Sequence, residues 1–409
     1  MKKLFVVSML FSAFCLSAQT EIQWRGTDRS GIFNETDLLQ SWSDGEPKLL
    51  WHHDGLGEGY SSPAIADNKI FVTGKIEGRG YIFVFDLNGR LLKRAFYGNE
   101  WSRSYDGSRG TPTISDGRIF IHTGLGDLIC MDKNTLNVIW RRNMMTDFGG
   151  ENIRWGVTES PLVIGNKVIL SVGGREHSVV ALNVKDGSLV WSSVGTGTGD
   201  LTAYCSPLFI ANQEVPQIVT TMSNHIIGLE ASTGKLLWSH PYANHRRIHP
   251  NTPVYDGRDM ILIANGYDKG AVMLRLTNGG RSVEKVWENH DVKSIHGGIV
   301  KVGNYAFLGG DGRASRFWHC VNWYTGEAMW RDNSLMVGAV IADGNGMLYL
   351  YTERGEMALV RPNPEKLDIV SQFTITLGTG QHWAHPIIYQ GVLYVRRGDT
   401  LMAFDIRKK

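Results

Sequence analysis

SSPAIADNKIFV, residues 61–72, is a small residue and a proline, a short apolar strand, a two-residue turn and a second strand. Asp67 and Asn68 tolerate the positive φ of a two-residue hairpin, so the two apolar runs pair as antiparallel neighbours. The pattern returns as GTPTISDGRIFI (110–121), ESPLVIGNKVIL (159–170), CSPLFIANQEVPQIV (205–219), NTPVYDGRDMILI (251–263), HGGIVKVGNYAFL (296–308), GAVIADGNGMLYL (338–350) and HPIIYQGVLYV (385–395). With the proline or its substitute as marker, the units fall at 63, 112, 161, 207, 253, 298, 339 and 386, spaced by 41 to 49 residues. A fixed period of this size, with room for four strands, is the signature of blades around an axis. The sequence predicts an all-β fold: one propeller domain over residues 19–409, with eight four-stranded antiparallel blades.

A second signature follows in the outer half of several blades. LNVKDGSLVW, LEASTGKLLW, VNWYTGEAMW and the degraded MDKNTLNVIW place Trp191, Trp238, Trp330 and Trp140 at equivalent positions, and RSVEKVW adds Trp287. A tryptophan tied to the repeat serves the repeat, as an apolar anchor between blades whose indole N–H bonds a carbonyl. The last unit, LYVRRGDTLMAFDI, lacks this outer strand, and EPKLLWHH (46–53) supplies the missing piece with Trp51 as its anchor. The N-terminal strand is expected to close the ring from the outside of the last blade, leaving no broken edge.

Composition narrows the setting. Lys2 and Lys3 followed by the apolar run Leu4 to Leu16 read as a signal peptide over residues 1–18, so the product is expected to be exported, periplasmic or secreted. That run is too short to span a bilayer, and no transmembrane segment is expected elsewhere. Phe14 before Cys15 argues against lipid modification there. Without Lys2 and Lys3 the 42 basic residues fall to 40, equal to the 40 acidic ones, which removes the electrostatic basis for nucleic-acid binding. Cys130, Cys205 and Cys320 are scattered, with no spacing for a disulfide framework or a zinc site.

The repeats, together with the opening WRGTDRSGIF (24–33), resemble the quinoprotein-like family of eight-bladed propellers with PQQ-like repeats. That family includes quinoprotein alcohol dehydrogenases and an outer-membrane assembly lipoprotein. Its dehydrogenases hold their quinone between a tryptophan floor and a disulfide of adjacent cysteines, beside calcium and a catalytic aspartate. This chain has no adjacent cysteines and no acidic set matching that calcium site. Neither a cofactor nor a metal is therefore expected.

Function in a propeller sits where the entry loops meet the axis, so the residues just before each marker carry the reading. They are GYSS, SRGT, VTES, AYCS, HPNT, SIHG, LMVG and HWAH. With the motifs IRWGVTES, NHRRIHPNT and GQHWAHP they nominate Tyr60, Arg109, Arg154, Glu159, Tyr204, Arg246, Arg247, His249, Asn251, His296, His382, Trp383 and His385 as lining one mouth.

Aromatics that stack on a sugar ring, arginines that fork an acid group and histidines that move protons suit an anionic oligosaccharide. In a uronic acid, loss of the C5 proton and of the C4 substituent is a β-elimination. It needs a neutraliser for the carboxylate, a base and an acid. Arg246 or Arg247 is the expected neutraliser, His249 or His296 the base, and Tyr204 or His385 the acid. Arg154, Arg109, Tyr60, Trp383, His382, Glu159 and Asn251 are assigned to substrate binding. The exported propeller with a basic, histidine-rich funnel is similar in plan to glucuronate-polysaccharide lyases and to an ulvan-oligosaccharide dehydratase, which implies a carbon–oxygen lyase. The competing readings are a non-catalytic binding scaffold of the assembly type and a quinone-dependent dehydrogenase.

Overall fold

The computed structural model describes residues 23–42, 45–310 and 316–408. The signal peptide read over residues 1–18 lies outside them. Eight sheets surround one axis. In chain order their innermost strands are Ala64–Ala66, Thr113–Ser115, Leu162–Ile164, Leu208–Ile210, Val254–Tyr255, Ile299–Val302, Gly338–Asp343 and Ile387–Tyr389, which begin blades 1 to 8. Asp67–Asn68 and Asp116–Gly117 turn with positive φ at both residues, as their side chains foretold.

Ring closure follows the expected route. Lys48–His53 pairs antiparallel with Thr400–Asp405 as the outer strand of blade 8, with Trp51 opposite Ala403. Blade 7 holds a surprise: Ile32–Phe33 adds a fifth strand on its axial edge, parallel to Gly338–Asp343. The opening segment therefore enters the fold at the axis before its chain reaches the rim.

The repeated tryptophan has a defined seat. The indole N–H of Trp140 donates to Val184 O at 3.1 Å, that of Trp191 to Ala231 O at 3.3 Å and that of Trp287 to Trp323 O at 2.9 Å, each in the following blade. The ring lies on the glycine of that blade's third turn. A Cβ on Gly234 would stand 2.4 Å from the Trp191 ring, and one on Gly187 would stand 2.8 Å from Trp140. The two ends of the TGxxxW signature are thus halves of one contact made between successive blades. Trp238 departs from the rule because blade 5 turns through Asn278–Gly280 instead. Its N–H donates to Gln217 Oε1 at 2.7 Å, and Gln217 Nε2 passes the link to Gly280 O at 3.0 Å.

In all eight blades the outer strand bulges, the pairing register skipping Leu50, Leu92, Ile139, Val190, Leu237, Val286, Met329 and Val370. Bulges twist an edge and spoil it as a template for another strand. Several skipped residues are also the exposed apolar ones of the rim, Ile139 and Val190 among them. That exposure recurs with the repeat and coincides with the bulged edge. Among the described residues no helix is long and apolar enough to cross a membrane.

The blade contact predicts a stability effect. Trp191→Ala should cost about 3–5 kcal/mol, the range for removing a buried large aromatic. Urea unfolding is the measurement, and a change under about 1 kcal/mol would show that the seat is dispensable.

Candidate functional site

At the level of the markers a belt of hydroxyls runs round one half of the axis. Ser62 N–H donates to Thr111 Oγ1 (3.0 Å), Thr111 N–H to Ser160 Oγ (3.0 Å), and Ser160 N–H to Ser206 Oγ (2.9 Å). Each small residue before a proline thereby caps the backbone of the blade before it. On the other half Asn251 takes over, accepting from Gly298 N–H at 3.0 Å while its amide donates to Ala264 O and Ser294 O.

The segment 23–33 fills the axis inside this belt. Arg29, wholly buried, donates to Pro207 O and Pro161 O at 2.7 Å each. Arg25 donates to Ile299 O at 2.6 Å and to Val340 O at 3.2 Å. Trp24 bridges blades 5 and 8, its N–H on Thr252 Oγ1 at 3.0 Å and its ring 4.7 Å from that of His385. Burial pulls both guanidinium groups down to about 10, still charged at any working pH. One end of the axis keeps a cavity of about 440 Å³ lined by Asp28, Asp256 and Lys301. Its polar groups are engaged locally, Asp28 on Ser30, Asp256 on the N–H groups of its own turn and Lys301 on Gly303 O. The nominated polar and aromatic residues gather at the opposite end, in the entry loops.

There the structure brings four expected residues together. The Trp383 ring is 5.3 Å from Tyr60, 5.6 Å from His296 and 4.8 Å from Tyr105. His296 Nε2 meets Glu353 Oε1 at 3.2 Å, with the two side chains 35 % and 25 % exposed, while His296 Nδ1 is buried without a hydrogen-bond partner. Arg109 stands 5.9 Å from the Tyr60 ring centre and 5.7 Å from that of Trp101, its guanidinium held by Ser104 O and Tyr105 O. Tyr60 O–H donates to Gln381 Oε1 at 3.2 Å. A second aromatic group adjoins: Arg154 lies over Trp155 at 5.2 Å, and Trp155 lies 6.0 Å from Tyr204, whose hydroxyl accepts the Trp155 N–H. Burial pushes the Tyr204 phenol up to about 12, opposed by Arg109, so it stays protonated and able to donate. Tyr105, Tyr204, Arg247 and Tyr267 all hold positive φ, a concentration of backbone strain expected where loops are shaped for a ligand.

The other nominees are placed differently, and here the sequence reading is corrected. His249 is buried in the wall: Nε2–H donates to Ser223 O, Asn265 donates to Nδ1, and burial lowers the imidazole to about 4. It is a neutral structural group, not a base facing substrate. His385 is equally enclosed between Arg25 and the His296 carbonyl, and so unsuited as the acid. Asn251 spends its amide on the belt. Glu159 accepts the Ser171 N–H from beneath the mouth, and burial raises its carboxyl to about 8 against the pull of Arg29. His382 borders the cleft with His296, Glu353 and Trp383, but Tyr351 O–H occupies its Nδ1 at 2.7 Å. Arg246 and Arg247 are exposed on the rim, Arg246 donating to His245 at 3.2 Å.

Glu353, Tyr105, Trp24 and Arg25 escaped the sequence reading. Glu353 lies in the turn after the second strand of blade 7, which opens at the same end as the entry loops. Inspecting those turns as well as the pre-marker windows would have found it.

A family profile described as outer membrane protein assembly factor BamB matches residues 78–332. The BamB of Shewanella oneidensis is 23% identical over 228 residues, 53% of this chain and 52% of that protein. A lanthanide-dependent methanol dehydrogenase of Methylacidiphilum fumariolicum is 31% identical over 107 residues, 25% of this chain and 16% of that protein. The chain thus spans about half the length of the first relative and less of the second. BamB from Moraxella catarrhalis superposes with a TM-score of 0.64 at 14% identity, covering 88% of this chain and 100% of that one. Quinohemoprotein alcohol dehydrogenase from Comamonas testosteroni gives 0.69 at 14% identity, covering 95% and 81%. These two likenesses show the fold alone.

A quinone does not fit the residues present. The axis at marker level holds Trp24, Arg25 and Arg29, and the free cysteines Cys130, Cys205 and Cys320 are buried in different blades or entry loops.

Glu159 yields a pH prediction. Its carboxyl is raised from 4.5 to about 8 in the fold, so the native state holds the proton that the unfolded chain releases. This contribution is fully present below about pH 4.5 and is lost as pH rises through about 8, by at most about 1.4 kcal/mol per unit. Denaturant unfolding from pH 5 to 8 should show that slope in the native protein, and Glu159→Gln should flatten it. A slope unchanged by the substitution would contradict the assignment.

Proposed function

Since the chain belongs to the family described as outer membrane protein assembly factor BamB, whose repeats build blades and leave chemistry to the loops, we propose that its axial mouth binds a uronic-acid-containing oligosaccharide and catalyses β-elimination on it. The observation that carries the reading is the His296–Glu353 pair beside the Trp383, Tyr60 and Tyr105 rings, with Arg109 against Tyr60. An aromatic wall of this kind suits the face of a pyranose ring. Arg109 neutralises the uronate, making the C5 proton acidic. The His296–Glu353 couple takes that proton, and the protonated phenol of Tyr60 or Tyr204 supports the departing oxygen. If the departing group is a sugar, the enzyme is a lyase; if it is water, a dehydratase. The alternatives His249 and His385 give way to His296 as the base and to Tyr60 or Tyr204 as the acid. The family match supports an exported setting for this activity.

A second reading is a scaffold that binds other proteins, favoured by the name of the matching family. The two separate by experiment. Uronate oligosaccharides incubated with the protein should develop the ultraviolet absorbance of an unsaturated uronate. His296→Ala and Glu353→Gln should each lower kcat by about 10²-fold or more, and Trp383→Ala should act mainly on KM. A folded protein silent on every uronate would remove the elimination reading and leave the scaffold.

A further inference from the structure

We infer that Arg25, in the axial segment, is a positioning residue for His296, acting through His385. The inference rests on the proposed role of His296, and its geometry comes from a different part of the chain.

An arginine only donates hydrogen bonds. Arg25 Nη1 lies 2.9 Å from His385 Nδ1, so that nitrogen accepts and the single ring proton of His385 sits on Nε2. Nε2 then donates to the backbone carbonyl of His296 at 2.8 Å. A second protonation would place N–H against N–H at Nδ1, and burial beside the Arg25 charge already drives the imidazole well below its ordinary value. The tautomer is therefore locked and so is the direction of the relay.

The same guanidinium holds the segment at its other end. Nη2 donates to Ile299 O at 2.6 Å, three residues beyond His296. Between these two points Gly297 O accepts from Val340 N–H at 2.9 Å and Gly298 N–H donates to Asn251 at 3.0 Å. Gly298 permits the approach, because a Cβ there would stand 2.0 Å from Arg25 Nη1. Every residue from His296 to Ile299 is thus bonded through its backbone, and Arg25 commands both ends. The His296 side chain is left to meet Glu353 and Trp383 from a fixed base. Arg29 has no such reach: its donors go to Ser160, Pro161 and Pro207, on the far half of the belt, and to Gln23.

The test uses the whole exported chain labelled with ¹⁵N-histidine. In the native protein His385 should show the Nε2–H tautomer and no titration between about pH 5 and 8, where an ordinary histidine changes charge. His385→Leu should displace the His296 ring resonances and lower kcat on a uronate substrate at least about tenfold, with KM changed less than about twofold. His385→Gln, whose amide can accept from Arg25 and donate to the same carbonyl, should restore both. Should His385→Leu not fold, Arg25→Lys reads the same resonances, since an ammonium cannot serve all of these acceptors in the planar geometry of a guanidinium. Folded variants with His296 resonances in their native place would overturn the inference. A native protein inactive on every uronate would defeat the elimination reading alone, because the resonances still report whether His296 is held.

Discussion

Innermost strands of a propeller turn one edge to a common axis, where carbonyl groups have no neighbouring strand to bond. A buried peptide group without a partner is costly, and the rest of this molecule is arranged round that constraint. Two arginines from one short segment meet it with eight donated bonds to carbonyls of blades or entry loops, to His385 and within the segment itself. Arginine suits the task because its planar fork serves several acceptors at once and its charge survives burial. Blade 7 shows the alternative, a borrowed strand.

Filling the axis also decides where a cleft can form. With Trp24, Arg25 and Arg29 occupying the marker level, the cleft beside Trp383 is confined to the loops above it. The residues that face solvent there come from blades far apart in sequence: Tyr60, Arg109, His296, Glu353 and Trp383. The ring and its filling thus act together, one bringing the loops to a single mouth and the other giving the mouth a bottom.

The blades were legible because the repeat rests on local chemistry: a two-residue turn that demands positive φ, and a Trp–Gly pair repeated in register. Ring closure through Trp51 followed from the same pattern by asking which piece was missing. The mouth was half legible. His296, two residues before its marker, reaches the cleft, while His249, four residues before its own, turns into the wall against Asn265 and Ser223. Pattern cannot tell these apart, since the difference lies in a side chain supplied by another strand. Arg25 and Arg29 were unreadable for a related reason: most of their partners are backbone carbonyls, which leave no residue-specific trace.

The axial segment is also a statement about time. Its acceptors lie on blades 3 to 8, up to 360 residues downstream at His385, and the outer strand of blade 8 waits for Thr400–Asp405. Contacts so distant in sequence carry a large loop-closure cost and form late. Blades 1 to 6 can assemble from neighbours as the chain emerges, but the strand that seals the ring and the arginines that fill it are made first and placed last.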